Sequence, residues 1–196
     1  MDTRTEDTLW AAARNGDGDA FGVLFDRHHP RVHRHATRLL TSRADAEDVT
    51  ASTFLEAWRR RDHVRLVNAS VLPWLLVTTT NLARNTHRGA RRYRDFLQRL
   101  PREATVPDAA ETALSGPLSL DGQLNAALAT LRPIDQQLIS LVVLEDVTLT
   151  DAATVLGLTP GAAKTRMHRA NARLRAALGD PPSPAHLHPA SEGQHS

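Results

Sequence analysis

Apolar side chains recur along the first half of the chain at the spacing of a helix. Phe21, Leu24, Phe25, His28 and Val32 fall at i, i+3, i+4, i+7 and i+11, and Ala46, Val49, Thr53, Phe54, Ala57 and Trp58 trace a second stripe. Each set predicts an amphipathic helix with one face turned to a core. The pattern runs from Leu9 to about Arg102, and turn and cap residues divide it. Asn15-Gly16-Asp17-Gly18-Asp19 ends a first short helix, and Thr41-Ser42 followed by Asp45 and Glu47 is a capping context for a later one. His63 to Ser70 has no helical period and reads as a loop, and Pro73 suits the first turn of a helix continuing through Leu82 towards Arg92. Pro30 is expected to interrupt the helix that carries His28.

A second body follows a break. Pro101, Pro107, Gly116 and Pro117, set among Ala, Thr, Ser and acidic residues, make residues 100–120 a linker. Beyond it Leu124, Leu128 and Leu131, then Leu138, Leu141 and Val142, give paired helical stripes broken at Pro133. No alternating run of useful strand length occurs. The expected fold is therefore all-α, with two small helical domains at residues 1–99 and 121–178 joined by a flexible linker. Residues 179–196, rich in Pro, His and Ser, lack the apolar content for a core and are expected to be a disordered tail.

With 196 residues, 41% of them apolar and 23% charged, the chain has material for one ordinary domain or two small ones. The lack of cysteine removes disulfides, thiolate metal sites and cysteine nucleophiles together. Apolar runs such as Val71 to Val77 and Leu138 to Leu144 fall short of the ~20 residues that a membrane span needs. The start, Met1-Asp2-Thr3-Arg4-Thr5-Glu6-Asp7, lacks the basic and then apolar pattern of an export signal, so none is expected. A soluble cytoplasmic protein without membrane insertion is expected. His28, His29, His33 and His35 lie close together, but no carboxylate has zincin spacing, and His33 and His35 cannot share a helical face, so no metal is expected. No nucleophile elbow, phosphate-cradling glycine loop or carboxylate pair points to an enzyme or a cofactor.

Net charge is only +2, but its distribution is uneven. Between Asn81 and Arg102 there are seven arginines against Asp95 alone; from Glu103 to Asp151 there are eight acids against Arg132 alone. Lys164, Arg166, Arg169, Arg173 and Arg175 then form a second basic block. Two basic blocks separated by an acidic segment fit a polyanion gripped at two places, because clustered arginine neutralises phosphates and releases their counterions.

Leu149 to Leu174 carries the sharpest signal. Thr150-Asp151 is read as the cap of a helix bearing Ala152, Ala153, Val155 and Leu156; Gly157 stops it, Leu158 packs inward, and Thr159-Pro160 caps and opens the next helix. Small Ala153 permits close approach of the two helices. The second helix puts Ala163, Met167, Ala170 and Leu174 on its core side and Lys164, Thr165, His168 and Arg169 outward near its start. This is a helix-turn-helix whose leading polar residues suit a major groove, where Arg or Lys pairs with guanine.

That second helix, Thr159 to Leu174, resembles the last region of bacterial extracytoplasmic-function (ECF) sigma factors, the specificity subunits of RNA polymerase. Asp45-Ala46-Glu47-Asp48-Val49-Thr50 through Thr53-Phe54-Leu55-Glu56-Ala57-Trp58 is similar to the family's polymerase-binding helix. Leu72-Pro73-Trp74-Leu75-Leu76 through Asn81-Leu82-Ala83-Arg84-Asn85 is similar to its minus-ten segment. The resemblance covers about residues 8–178 in order.

It implies that Asp45, Glu47, Asp48, Phe54 and Trp58 dock on the clamp helices of the largest subunit of core RNA polymerase, with Ala51 and Ser52 standing where members commonly carry Gln and Glu. It implies that the loop around Val67, Asn68, Ala69 and Ser70 captures a flipped base of the minus-ten element, with Asn68, which both donates and accepts, as the first candidate. Asn81, Arg84, Asn85 and Arg88 share one helical face that could track the opened duplex, extended by Arg91 and Arg92. Lys164, Thr165, Arg166, His168 and Arg169 would read the minus-thirty-five element. Promoter DNA and core polymerase are the implied partners, an anti-sigma protein is admitted as a further one, and polymerase supplies the chemistry. The alternative is a repressor or activator that binds an operator without polymerase.

Overall fold

The computed structural model describes residues 4–99 and 126–179, without the side chains of residues 90, 91, 93–95 and 97–99. The expected linker at 100–120, all but the first residue of the expected tail, and Leu124 lie outside the described residues.

Four helices form the N-terminal body: α1 (Glu6–Arg14), α2 (Gly18–Leu39), α3 (Arg43–Arg59) and α4 (Leu72–Arg99). The C-terminal body has a helical turn at 126–129. It continues with α5 (Pro133–Ile139), extended by a π-helical turn over Ser140–Leu144, then α6 (Leu149–Val155) and α7 (Pro160–Leu178). The described residues are helices and loops apart from one isolated antiparallel bridge, Val67 to Ser70.

Side-chain caps set the helix starts. Asp17 accepts from the Ala20 amide at 2.9 Å and Ser42 from that of Asp45 at 3.2 Å, each satisfying a donor that has no partner within its helix. Thr159 does the same for Ala162 at 3.2 Å, ahead of Pro160. The cap of α6 is Thr148, which accepts from the Asp151 amide at 3.1 Å, and not the expected Thr150-Asp151 pair. Asp151 instead lies in the first turn, where its charge favours the helix dipole. Gly157 closes α6 with φ +65°, a left-handed conformation that glycine adopts without strain, and the Leu158 amide reaches back to the Ala153 carbonyl at 2.8 Å.

Pro30 does not interrupt α2, which runs unbroken through it. Pro30 and Asp26, whose carbonyl loses its helical donor to the proline ring, both face solvent, so water can replace the lost bond while His28 and Val32 on the buried face hold the helix together.

One core belongs to the N-terminal body: Leu9, Trp10, Leu24, Val32, Phe54, Val71 and Leu75, with Phe21, Phe25 and Trp58 packed against them. Two others span both bodies. Ala36, Leu39, Val49 and Ala83 meet Leu128, Leu131, Ile139 and Leu174, and Leu76 of α4 sits with Leu138, Leu141, Ala152 and Ala163. Burial of these apolar faces is what brings the second body against the first.

A polar contact crosses the same boundary. Glu145, just past the π-helical turn and only 2% exposed, takes hydrogen bonds from Arg31 Nε at 3.0 Å, His35 Nδ1 at 3.1 Å and Arg38 Nη1 at 3.0 Å. Arg31 also donates to the Glu145 carbonyl and Arg38 to that of Leu144. The Thr80 hydroxyl donates to the Leu76 carbonyl at 2.9 Å and so accepts from His35 Nε2 at 3.0 Å. Both ring nitrogens of His35 are thus engaged, one with that hydroxyl and one with the carboxylate. Burial pushes the Glu145 carboxyl up, but the hydrogen bonds and charges of His35 and Arg31 outweigh it and hold the group below the usual glutamate range.

Candidate nucleic-acid interface

On α7 the caps and the buried Ala163, Ala170 and Leu174 fix the helix on its apolar side. This turns Lys164, Thr165, His168 and Arg169 to solvent together. Arg166 is directed elsewhere: its Nη1 pairs with Asp135 Oδ1 of α5 at 2.9 Å. Beside them an open recess of about 390 Å³ is lined by Arg132, Asp135, Thr165, Arg166, Arg169 and Arg173. Four guanidinium groups around one concavity suit phosphate oxygens, with the single carboxylate orienting one of them. Sequence reasoning missed Arg132, although its isolation in an acidic stretch was a signal.

In the N-terminal body the loop before α4 is built as a tight turn. Val67 and Ser70 exchange backbone hydrogen bonds at 2.9 and 3.1 Å, and Asn68 and Ala69 between them take φ of +52° and +57°. Asparagine tolerates this left-handed region; alanine does so at a cost of about 1 kcal/mol or more. The turn presents Asn68 and Ala69 outward. Glu6 of α1, which sequence reasoning also missed, holds its base. One carboxylate oxygen accepts from Ser70 Oγ at 2.9 Å and the Val71 amide at 2.6 Å, with His28 Nε2 at 3.0 Å. Burial raises the Glu6 pKa, and the donors from His28, Val71 and Ser70 more than reverse it, leaving it lowered. Ser70 Oγ in turn accepts from the Leu72 amide at 3.1 Å and so caps α4.

Asn85 and Arg88 are exposed on α4, with Asn81 and Arg84 half-buried. Arg84 Nε and Nη1 are buried without a hydrogen-bond partner among the described residues. Desolvation, then the charge of Arg88, pull that guanidinium below its ordinary pKa. A cation in such surroundings gains from an arriving anion. The side chain of Arg91 lies outside the described residues, and Arg92 is exposed. Asn68 Nδ2 donates to Asp151 Oδ1 at 2.7 Å, and Asn81 Oδ1 accepts from Gln137 Nε2 at 2.6 Å. Both asparagines thus bond to the C-terminal body.

Along α3, Glu47 and Asp48 are exposed and Asp45 is half-buried. Phe54 does not join them: it is 5% exposed and packs its ring on Phe25, 4.6 Å between centroids. The exposed apolar residue two turns on from Asp48 is its neighbour Leu55, at 49%. Trp58 is half-buried, with its ring beside Phe21 and the Arg61 guanidinium 4.6 Å above it. The four clustered histidines go separate ways: His28 to Glu6, His35 to Glu145, and His29 and His33 stacked on one another at 5.9 Å.

Comparison with known proteins identifies the family. Residues 24–93 match the family model of sigma-70 region 2, and residues 121–174 match that of sigma-70 region 4. The RNA polymerase sigma factor CarQ of Myxococcus xanthus is 34% identical over 167 residues, covering 85% of this chain and 94% of CarQ. The ECF RNA polymerase sigma factor SigM of Mycobacterium tuberculosis is 31% identical over 182 residues, covering 90% and 86%.

The chain belongs to the ECF sigma factors.

Among solved structures, CnrH, bound there to the cytosolic domain of CnrY, superposes with a TM-score of 0.58 at 26% identity, covering 90% of this sigma factor and 98% of that chain. As a sigma factor the protein directs promoter-specific initiation of transcription. The operator-binding alternative is not favoured, because the N-terminal half matches region 2 as well. No helix among the described residues is long and apolar enough to cross a membrane.

Proposed function

We propose that the two bodies divide the promoter between them, with residues 1–99 serving the minus-ten element and the polymerase, 121–178 the minus-thirty-five element, and 100–120 the tether. Lys164, Thr165, His168 and Arg169 read base edges upstream, while Arg166, Arg132 and Arg173 grip phosphate. Asn68 takes a base flipped from the non-template strand, and Asn81, Arg84, Asn85 and Arg88 follow the opened strand. Asp45, Glu47 and Asp48, with Leu55 in the place expected for Phe54, form the face of α3 that meets the clamp helices of core polymerase, and Trp58 borders it. The protein performs no bond chemistry of its own. The likeness to sigma factors solved in complex with a partner, CnrH with the cytosolic domain of CnrY and RpoE of Bartonella quintana with the anti-sigma factor NepR, supports an anti-sigma protein as a further partner.

The observation that carries this reading is the joint exposure of Lys164, Thr165, His168 and Arg169 on the leading half of a capped second helix. Transcription from genomic promoters by core polymerase with and without the purified protein tests it. Transcripts with mapped starts and a shared upstream element are expected only when the protein is present. Asp48→Arg should abolish co-purification with core enzyme at an unchanged melting temperature, since it reverses a charge on an exposed face. Retained association would remove α3 from the interface.

A further inference from the structure

α1 packs Leu9 and Trp10 into the N-terminal core beside Val71 and Leu75, which sets the helix alongside the loop that leads into α4. Glu6, one turn before Trp10, turns its carboxylate to that loop. A single oxygen, Oε1, accepts from Ser70 Oγ at 2.9 Å and from the Val71 amide at 2.6 Å, and His28 Nε2 of α2 stands 3.0 Å from it. Three segments of the chain converge on one atom.

Fastening α1 to its body needs no such group, because Leu9, Trp10 and Ala13 are already buried there. The carboxylate adds direction instead. Its bonds are charge-assisted and short, so Ser70 and Val71 are set at a defined distance and angle from α1. His28, itself 6% exposed, orients the acid from α2. Asn68 lies two residues before Ser70, in a turn closed by the backbones of Val67 and Ser70. Where Ser70 is fixed, the direction of the Asn68 amide is fixed with it. That direction matters, because a hydrogen bond to a base edge weakens steeply once its angle departs far from linear. The family model of region 2 begins at residue 24, after α1 has ended at Arg14, so this anchor lies ahead of the stretch that the family match covers.

We infer that Glu6 is a positioning residue for the minus-ten element. It touches no base; through Ser70 and Val71 it sets where the loop offers Asn68, and so which base the loop accepts. The inference rests on the assignment of Asn68 to that element, and its test keeps the two apart.

Holoenzyme is assembled from core polymerase and the full-length protein as parent, Glu6→Ala, Glu6→Gln and Asn68→Ala, each checked for helical content and for melting above the assay temperature. Affinities are read with labelled non-template oligonucleotides from a mapped promoter of this protein, carrying each of the four bases at the minus-ten position to which the parent is most sensitive. Glu6→Ala should cut the preference for the favoured base about fivefold, the discrimination that one misplaced hydrogen bond forfeits, with binding to core polymerase and to the upstream element unchanged. Glu6→Gln, whose carbonyl oxygen can accept from the same two donors, should keep that preference within about twofold. Parental preference in Glu6→Ala overturns the proposal, and so does equal weakening for all four bases, the mark of a merely structural role. A loss in Glu6→Gln as deep as in Glu6→Ala overturns it as well. Preference erased in Glu6→Ala but retained in Asn68→Ala upholds Glu6 and removes Asn68 as the reader; the reverse keeps Asn68 and dismisses Glu6. If Glu6→Ala fails to fold, Glu6→Asp takes its place and the same outcomes decide, since it keeps the charge in the first turn of α1 and withdraws the oxygen from Ser70 and Val71 by a methylene.

Discussion

The two faces assigned to DNA differ in what occupies them. On α7, Lys164, Thr165, His168 and Arg169 stand in solvent, held there by a helix that is anchored through its opposite side. In the loop before α4 and along that helix, Asn68 and Asn81 are already bonded, to Asp151 and Gln137. The face proposed for the upstream element stands open, and the one proposed for the downstream element bonds to the protein's own second body. Exposure of polar groups at one site and pairing at the other follow from which side of each helix carries apolar residues. The back of α7 is apolar, and its Ala163, Ala170 and Leu174 lie in cores shared by the two bodies, which leaves its polar face in solvent, whereas α4 turns Leu76 and, beside it, Asn81 towards the other body.

The strongest way to break this contrast is to remove the apolar seat. Leu76→Ala deletes a fully buried side chain from the shared core and should cost about 2–5 kcal/mol in denaturant unfolding. A loss under about 1 kcal/mol would mean that the bodies do not depend on that contact. Arg169→Ala tests the open face: a loss of about 1–3 kcal/mol in binding the upstream element, with altered preference at one base pair, is expected. Equal weakening on every sequence would assign Arg169 to phosphate.

Acid sharpens the comparison from the covered side. Both Glu6 and Glu145 have carboxyls below their ordinary pKa. A carboxylate lowered in the folded state contributes stability that is complete above its unfolded pKa and is lost as pH falls through the folded one. The melting temperature should therefore drop below about pH 5. Glu6→Gln should flatten that drop, and an acid profile identical to the parent's would show that Glu6 does not hold the loop. The smallest effect is expected from Asp151→Ala, which frees Asn68 at the surface without touching Glu145. Free-protein affinity for a minus-ten strand should rise by about 0.5–1 kcal/mol, the size of an ordinary hydrogen bond, measured by fluorescence anisotropy.

Much of this was legible in the chain. Periodicity located the helices, Thr159-Pro160 and Gly157 marked the helix-turn-helix, and the Asn68 loop was visible as a gap in the pattern. The failures have physical causes. Pro30 reads as a breaker because sequence does not show that its exposed side can be hydrated while Val32 packs. Phe54 and Leu55 are adjacent apolar residues, and only their rotation about α3 tells that the aromatic one points to Phe25. Glu145 looks like one more acid in an acidic stretch, because its partners lie more than a hundred residues away. A separation of 64 and 65 residues likewise hides Glu6, tied to Ser70 and Val71.

Ala69, with φ +57°, has a consequence for how a base would be received. A glycine there would sit at ease but wander among many conformers before contact, and each would have to be given up on gripping a nucleotide. The methyl group of alanine restricts that wandering, and the ladder of bonds from Glu6 through Ser70 to the first turn of α4 holds the tip in its uncomfortable shape. A strand docking there would meet a tip already held in shape, with little freedom left to lose.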